Sequence, residues 1–129
     1  MNERDSAESM LGLACEDLSA LENMASNPVF TERIFGFHAQ QAVEKALKAL
    51  LTFHDVEYPR THDLRALTVL LTTSAIDVPE KVDALLTLTT FAVTWRYDWN
   101  ADFTEPLDRA RIVALVSEVI ACVREHITE

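Results

Sequence analysis

The sequence predicts an all-α fold, an up-and-down antiparallel bundle of four to five helices. Three observations lead there. The 129 residues contain only 2 Gly and 4 Pro, so few positions favour tight turns or helix breaks. Apolar residues recur at three- and four-residue spacing through long segments. Strand-type alternation is weak, and the breaks between segments are short, which favours antiparallel neighbours. No repeat or linker divides the chain, so residues 1–129 are read as one domain.

The first helix is expected from about residue 4 to 25, with Leu11, Ala14, Leu18 and Leu21 on its apolar side. Asn27-Pro28 ends it, because proline drives the preceding residue out of the α region. The second runs from about 30 to 54 and gathers Phe35, Ala39, Ala42, Val43, Ala46, Leu50 and Phe53 in an arc about 100° wide. Its alanines allow close approach of a neighbour. After the loop DVEYPR, Thr61 is read as N-cap of a third helix over about 62 to 72. Asp77 and Pro79 mark the start of a fourth, which carries Val82, Leu85, Leu86, Thr89, Ala92 and Val93 to about Arg96. The irregular RYDWNADF follows. Thr104 then caps a last helix with Val113, Val116, Ile120 and Val123 on one side.

Composition excludes several functions. Apolar residues make up 49% of the chain, which implies a packed core. A net charge of −10 argues against a protein that coats DNA or RNA, since that affinity comes mainly from Lys and Arg on phosphates. No apolar run reaches the roughly 18 residues needed to span a membrane. MNERDSAES is not a signal peptide, so a cytoplasmic location is expected. Cys15 and Cys122 lie inside apolar helical patterns and are read as two small buried hydrophobes rather than a disulfide.

Within FHAQQAVEKALKAL, His38, Gln41, Lys45 and Lys48 share an arc about 80° wide, with Glu44 at its edge. One reading is a solvated face with a Gln41–Lys45 contact and a Glu44–Lys48 ion pair. The other is a ligand site, with lysines meeting a phosphate and the amide meeting a base. Ile34 and Phe37 lie at the same angles, so the face is not simply solvent-facing. In Thr61-His62-Asp63-Leu64, His62 either orients the loop against the bundle or meets a bound phosphate. The histidines do not reproduce a zinc pattern, so neither a metal nor another cofactor is expected. No Gly-rich phosphate loop is present. Arg96, Tyr97, Trp99 and Asn100 form a polar-aromatic cluster suited either to closing a helix end or to stacking and phosphate contact.

FHAQQAVEKALKALL, followed by a short loop and PRTHDLRAL, resembles the signature of the HEPN domain family (higher eukaryotes and prokaryotes nucleotide-binding). ACEDLSAL in the opening helix and Trp95-Arg96-Tyr97 near the end of the fourth extend the resemblance over most of the chain. It implies a helical bundle, often dimeric. It also implies one of three roles: nucleotide binding, partnership with a minimal nucleotidyltransferase encoded nearby in a toxin–antitoxin pair, or metal-independent ribonuclease activity through Arg-x(4–6)-His. The catalytic motif would begin at Arg96, yet Tyr97 to Phe103 contain no histidine, which removes the group best suited to proton transfer near neutral pH. Arg33 and His38 match the spacing literally, but on one helix they point roughly 140° apart.

The expectation is therefore a non-catalytic, dimeric HEPN-type protein that binds a nucleotide, an RNA end or a nucleotidyltransferase partner. Its expected contacts are Arg96, Tyr97, Lys45, Lys48, Gln41, His38 and His62. A ribonuclease toxin with a degenerate motif and a plain helical interaction module are the alternatives.

Overall fold

The computed structural model describes residues 2–91 and 106–128. Among them all regular structure is helical. The elements are α1 (Glu3–Met24), α2 (Glu32–Phe53), α3 (Leu64–Thr73), a 3₁₀ helix (Glu80–Leu88) and α4 (Arg109–Thr128). No described helix is long and apolar enough to cross a membrane.

Asn2 caps α1 by accepting from the Asp5 amide, and Thr31 caps α2 by accepting from the Ile34 amide. Between them Asn27 accepts from the Val29 amide and sets the turn that Pro28 enforces. The cap of α3 is Asp63, which accepts from the Arg65 amide, rather than the expected Thr61. Thr61 Oγ1 instead accepts from the Asp63 amide and shapes the approach. At the C-termini of α2 and α3 the chain turns through Asp55 and Ala75 at positive φ, and Val56 and Ile76 donate back to Leu51 and Leu71.

The segment expected as a fourth α-helix begins as a 3₁₀ helix, with no side-chain cap from Asp77 or Pro79. Its sequence explains the tighter winding. Val82, Leu85, Leu88 and Phe91 are all buried, at a constant spacing of three. Three residues per turn keep such a set on one face, whereas an α-helix would swing Val82 and Phe91 to opposite sides. Thr89 begins an α-helical turn described as far as Phe91, and its hydroxyl accepts from the Leu64 amide at the start of α3. Ala92, Val93 and the expected cap Thr104 lie outside the described residues.

Side-chain pairs across the bundle fix its directions. Arg4 lies over the Phe53 ring, and Asp17 faces both His38 and Lys45, so α1 and α2 run antiparallel. Arg109 reaches Met24 while Arg124 reaches Cys15, so α4 is antiparallel to α1. Helix α4 therefore runs parallel to α2, with Arg109 beside Glu32 at one end and His126 beside His54 at the other.

Helix α2 is the centre. It packs against α1, α3, the 3₁₀ helix and α4, and none of its residues is exposed. The expected core positions Phe35, Ala39, Ala42, Val43, Ala46 and Leu50 are buried, whereas Phe53 at the helix end is half-buried. A second apolar stripe, Leu47 and Leu51, is buried as well. Ala7 and Ala14 of α1 are buried in the same core as the alanines of α2. Leu18, expected in the core, is half-buried at its margin, as is Val113 on α4. Cys15 is half-buried and Cys122 exposed, both as free thiols. The burial expected for Cys122 is therefore wrong: the buried stripe of α4 is Val116, Val119, Ile120, Val123 and Ile127, and Cys122 falls outside it.

Arg109 fastens the bundle's upper end. Its guanidinium donates to Glu32 Oε1 and to the carbonyls of Met24, Asn27 and Phe30, and it lies over the Phe35 ring. The Leu107 amide donates to the other Glu32 oxygen. A cation in the first turn of a helix opposes the helix dipole, and here it is spent on the α1–α2 turn.

The two glycines separate packing from helix propensity. A Cβ at Gly36 would fall 2.6 Å from the Phe91 ring, while one at Gly12 on the exposed side of α1 meets nothing within 4 Å. Gly12→Ala is expected to stabilise the protein by about 0.5–1 kcal/mol. Gly36→Ala is expected to destabilise it by about 1–3 kcal/mol through overpacking. Urea denaturation of the two variants checks both signs.

Candidate functional site

The polar residues of α2 separate into two clusters, each built around a carboxylate. The first spans α1 and α2. Lys45 Nζ donates to Asp17 Oδ2 at 2.7 Å, and His38 Nδ1 lies 3.6 Å from Asp17 Oδ1. Lys45 thus turns to α1, and the expected Gln41–Lys45 contact gives way to an ion pair between helices. Gln41 is half-buried between the clusters.

The second cluster is more enclosed. Glu44, expected at the edge of the arc, is buried, with its side chain only 6% exposed. Lys48 Nζ donates to Glu44 Oε2 at 2.9 Å, the ion pair expected from their spacing of four. The His62 ring places Nδ1 3.0 Å from Glu44 Oε1. Fully buried Gln40 donates to the His62 carbonyl at 2.6 Å and, more weakly, to Glu44 Oε1 at 3.4 Å. Lys48 also lies over the Tyr58 ring, 5.5 Å from its centroid. A buried carboxylate needs such partners, because desolvation without them costs several kcal/mol. The THDL loop is thereby fixed to α2 at both its histidine ring and its histidine backbone.

Glu44, Gln40 and Asp17 carry this arrangement, and the sequence reading did not single them out as its centres. For Glu44 and Gln40 the signal was present. At 100° per residue, Gln40 falls within about 20° of Leu47 and Leu51, and Glu44 lies next to Leu51. Two polar residues inside an apolar stripe indicate buried groups that need hydrogen-bond partners within the protein. Asp17 has no comparable signature, since it flanks the α1 core stripe as any surface residue would.

The remaining histidines meet elsewhere. His54, the C-cap of α2, and His126, in the last turn of α4, have their Nε2 atoms 2.7 Å apart. Phe53 packs edge-on against both rings. Burial, and then the neighbouring His126, push the His54 pKa below the ordinary imidazole value. Among the described residues no three His, Cys, Asp or Glu side chains form a metal-binding group. Arg33 and His38 share α2, and His38 is turned toward Asp17 on α1. Arg96 and Tyr97, with Trp95, Trp99, Asn100 and Phe103, lie outside the described residues.

The two lysines should respond differently to removal. Lys45 is 28% exposed and its pair with Asp17 is solvent-screened, so Lys45→Ala should cost no more than about 1 kcal/mol. Lys48→Ala withdraws the cation from a nearly buried carboxylate and should cost about 3 kcal/mol. Thermal and urea unfolding of the two variants, compared with the parent, gives the ordering.

The helices are thus centred on α2, with the THDL loop locked to a buried glutamate. Neither a search of curated proteins nor one of solved structures found a match. The family model of the HEPN domain matches residues 7–126, nearly the whole chain. The chain belongs to the HEPN domain family.

Proposed function

We propose that this chain is a non-catalytic HEPN domain that, as a homodimer, binds a nucleotide or an RNA end, or the nucleotidyltransferase of a toxin–antitoxin pair. Family membership supports a nucleotide-binding or ribonuclease-type helical domain. One observation favours binding over cleavage: the seven residues after Arg96, YDWNADF, hold no histidine. The chain has 4 histidines in all. His38 and His62 face carboxylates, and His54 and His126 face each other. None follows Arg96 at the spacing of the ribonuclease motif, so the usual proton-transfer group is missing from that position.

Arg96 and Tyr97 lead the proposed contacts, one for phosphate and one for stacking. His62 and Lys48 follow, on the loop and helix that Glu44 joins. Lys45, His38 and Gln41 complete the set. Internal pairing of Lys45 with Asp17 and of Lys48 with Glu44 argues for a smaller share from these lysines than from Arg96. Ile34 and Phe37, half-buried on the same helix, support a second packing surface for a dimer.

The test is titration of a labelled nucleotide and a short RNA at fixed salt into the parent, Arg96→Ala, Lys45→Ala and Arg4→Ala. Arg96→Ala should weaken binding about tenfold or more, in line with loss of one charge-assisted contact. Lys45→Ala should have a smaller effect and Arg4→Ala none. RNA incubated with the protein in chelator should remain intact, and light scattering should give a dimer at tens of micromolar, a working range for a modest dimer. RNA cleavage abolished by Arg96→Ala would overturn the non-catalytic reading. A monomer would remove the dimer from it.

A further inference from the structure

The His54–His126 pair lies at the other end of α2 from the Arg109–Glu32 clamp and takes no part in the proposed binding site. Its Nε2 atoms are 2.7 Å apart, so the Nε2–H of one ring donates to the Nε2 lone pair of the other. The rings come from separate helices. His54 is fixed through its backbone N–H, which donates to carbonyls at the end of α2, and His126 stands in the last turn of α4. Phe53 packs edge-on against both rings. The same end of α4 is held to the core by buried Ile127 and to α1 by Arg124, which donates to Cys15 Sγ. The imidazole pair ties it to α2.

We propose that this hydrogen bond is a pH-sensitive latch, which holds the last turn of α4 to the end of α2 and lets go when both imidazoles are charged. Proton counting gives the behaviour. With both rings neutral, one donates through Nε2–H and the other keeps its proton on Nδ1. A first added proton goes to Nδ1 of the donor, which becomes an imidazolium facing a lone pair, a stronger and charge-assisted bond. A second added proton must take that lone pair. Two N–H groups on two positive rings would then face each other across 2.7 Å, and the contact cannot survive. The pair titrates as a unit, closed until its last lone pair is protonated.

Charged and titratable groups approach the pair from every side. Arg4 of α1 lies over the Phe53 ring, and Asp55 follows His54 in the chain. Asp77 and Glu80, at the start of the 3₁₀ segment, line a groove with His126, as do Cys122 and Glu125 of α4. The carboxylates favour charged rings and ease proton uptake, whereas Arg4 opposes it. None of them relieves two N–H groups meeting head-on. Burial, and then His126, hold the His54 pKa below the ordinary imidazole value of 6.5. A folded value below the unfolded one means that the stability of this contact is complete above 6.5 and is lost as pH falls through the lower value. The latch is closed at neutral pH and opens in acid.

The experiment uses the tag-free, full-length protein. Ring-nitrogen NMR follows both imidazoles from about pH 8 to about pH 5, a range that brackets the ordinary imidazole value. Hydrogen exchange of the Val123 and Ile127 amides, corrected for its intrinsic pH dependence, follows the end of α4 in the same samples. At the alkaline end these amides should exchange about tenfold more slowly in the parent than in His54→Gln or His126→Gln, the factor that one hydrogen bond supplies. That advantage should vanish as the second ring becomes imidazolium, so that parent and variants converge. In His126→Gln the His54 ring should titrate in a single step, closer to its ordinary value. His38→Gln, whose ring faces Asp17 instead, should keep the parent's pH response. Circular dichroism establishes that each variant keeps the bundle, and since the two rings lie on different helices, either variant suffices. The proposal is overturned by an advantage that survives the charging of both rings, or by no advantage at the alkaline end. A His54 titration unmoved by His126→Gln, or loss of the response in His38→Gln, would overturn it as well.

Discussion

Everything in this bundle follows from the enclosure of α2. A helix packed against four other elements has little open surface on which to place polar groups, yet α2 carries Gln40, Glu44, Lys45 and Lys48. Each must find a partner inside the protein. The outcome is Glu44, a buried carboxylate held by the Lys48 ammonium, the His62 ring and the Gln40 amide. A group of that kind adds little net stability compared with an apolar substitute, but it tolerates very few alternative arrangements. It therefore dictates where the THDL loop sits, and through Leu64 and Thr89 where the 3₁₀ helix meets α3.

Arg109 does the same work at the other end of the sequence. By engaging Glu32 and three carbonyls of the α1–α2 turn, it satisfies backbone acceptors at a helix junction and draws the start of α4 onto the start of α2. The parallel course of α2 and α4 is then set at both ends, since His54 and His126 meet at the far one. The two internal charges, one on α2 and one on α4, organise loops that apolar packing alone would leave free to slide.

Much of this was legible in the sequence. The helical periods, the Asn27-Pro28 break and the alanine-rich core face of α2 were read correctly, because apolar spacing reports burial directly. The family was legible too, from QQAVEKALKA and THDL at their spacing. The failures share one cause. An α-helical period of 3.6 does not hold over 80–88, where the chain winds as a 3₁₀ helix and buried Val82, Leu85 and Leu88 repeat at three. Thr61 suits the cap by residue type, but Asp63 stands directly before the helix and accepts from the Arg65 amide. The polar arc of α2 is one surface by helical angle alone, whereas Asp17 and His62, from two other elements, divide it into two clusters. Pattern along one helix shows which side is apolar. It does not show which partner a neighbouring element will bring.

The central claim is that Glu44 and His62 act as one unit, joining the THDL loop to the enclosed helix. A double-mutant cycle measures that directly, using urea denaturation of Glu44→Gln, His62→Gln and the double variant. A pair in contact within one buried network should show a coupling of about 1–3 kcal/mol, so that the double variant loses much less than the sum of the single losses. Additivity within about 0.3 kcal/mol would mean that the two residues act independently, and the loop would then be held by the Gln40 bond to the His62 carbonyl and by apolar packing.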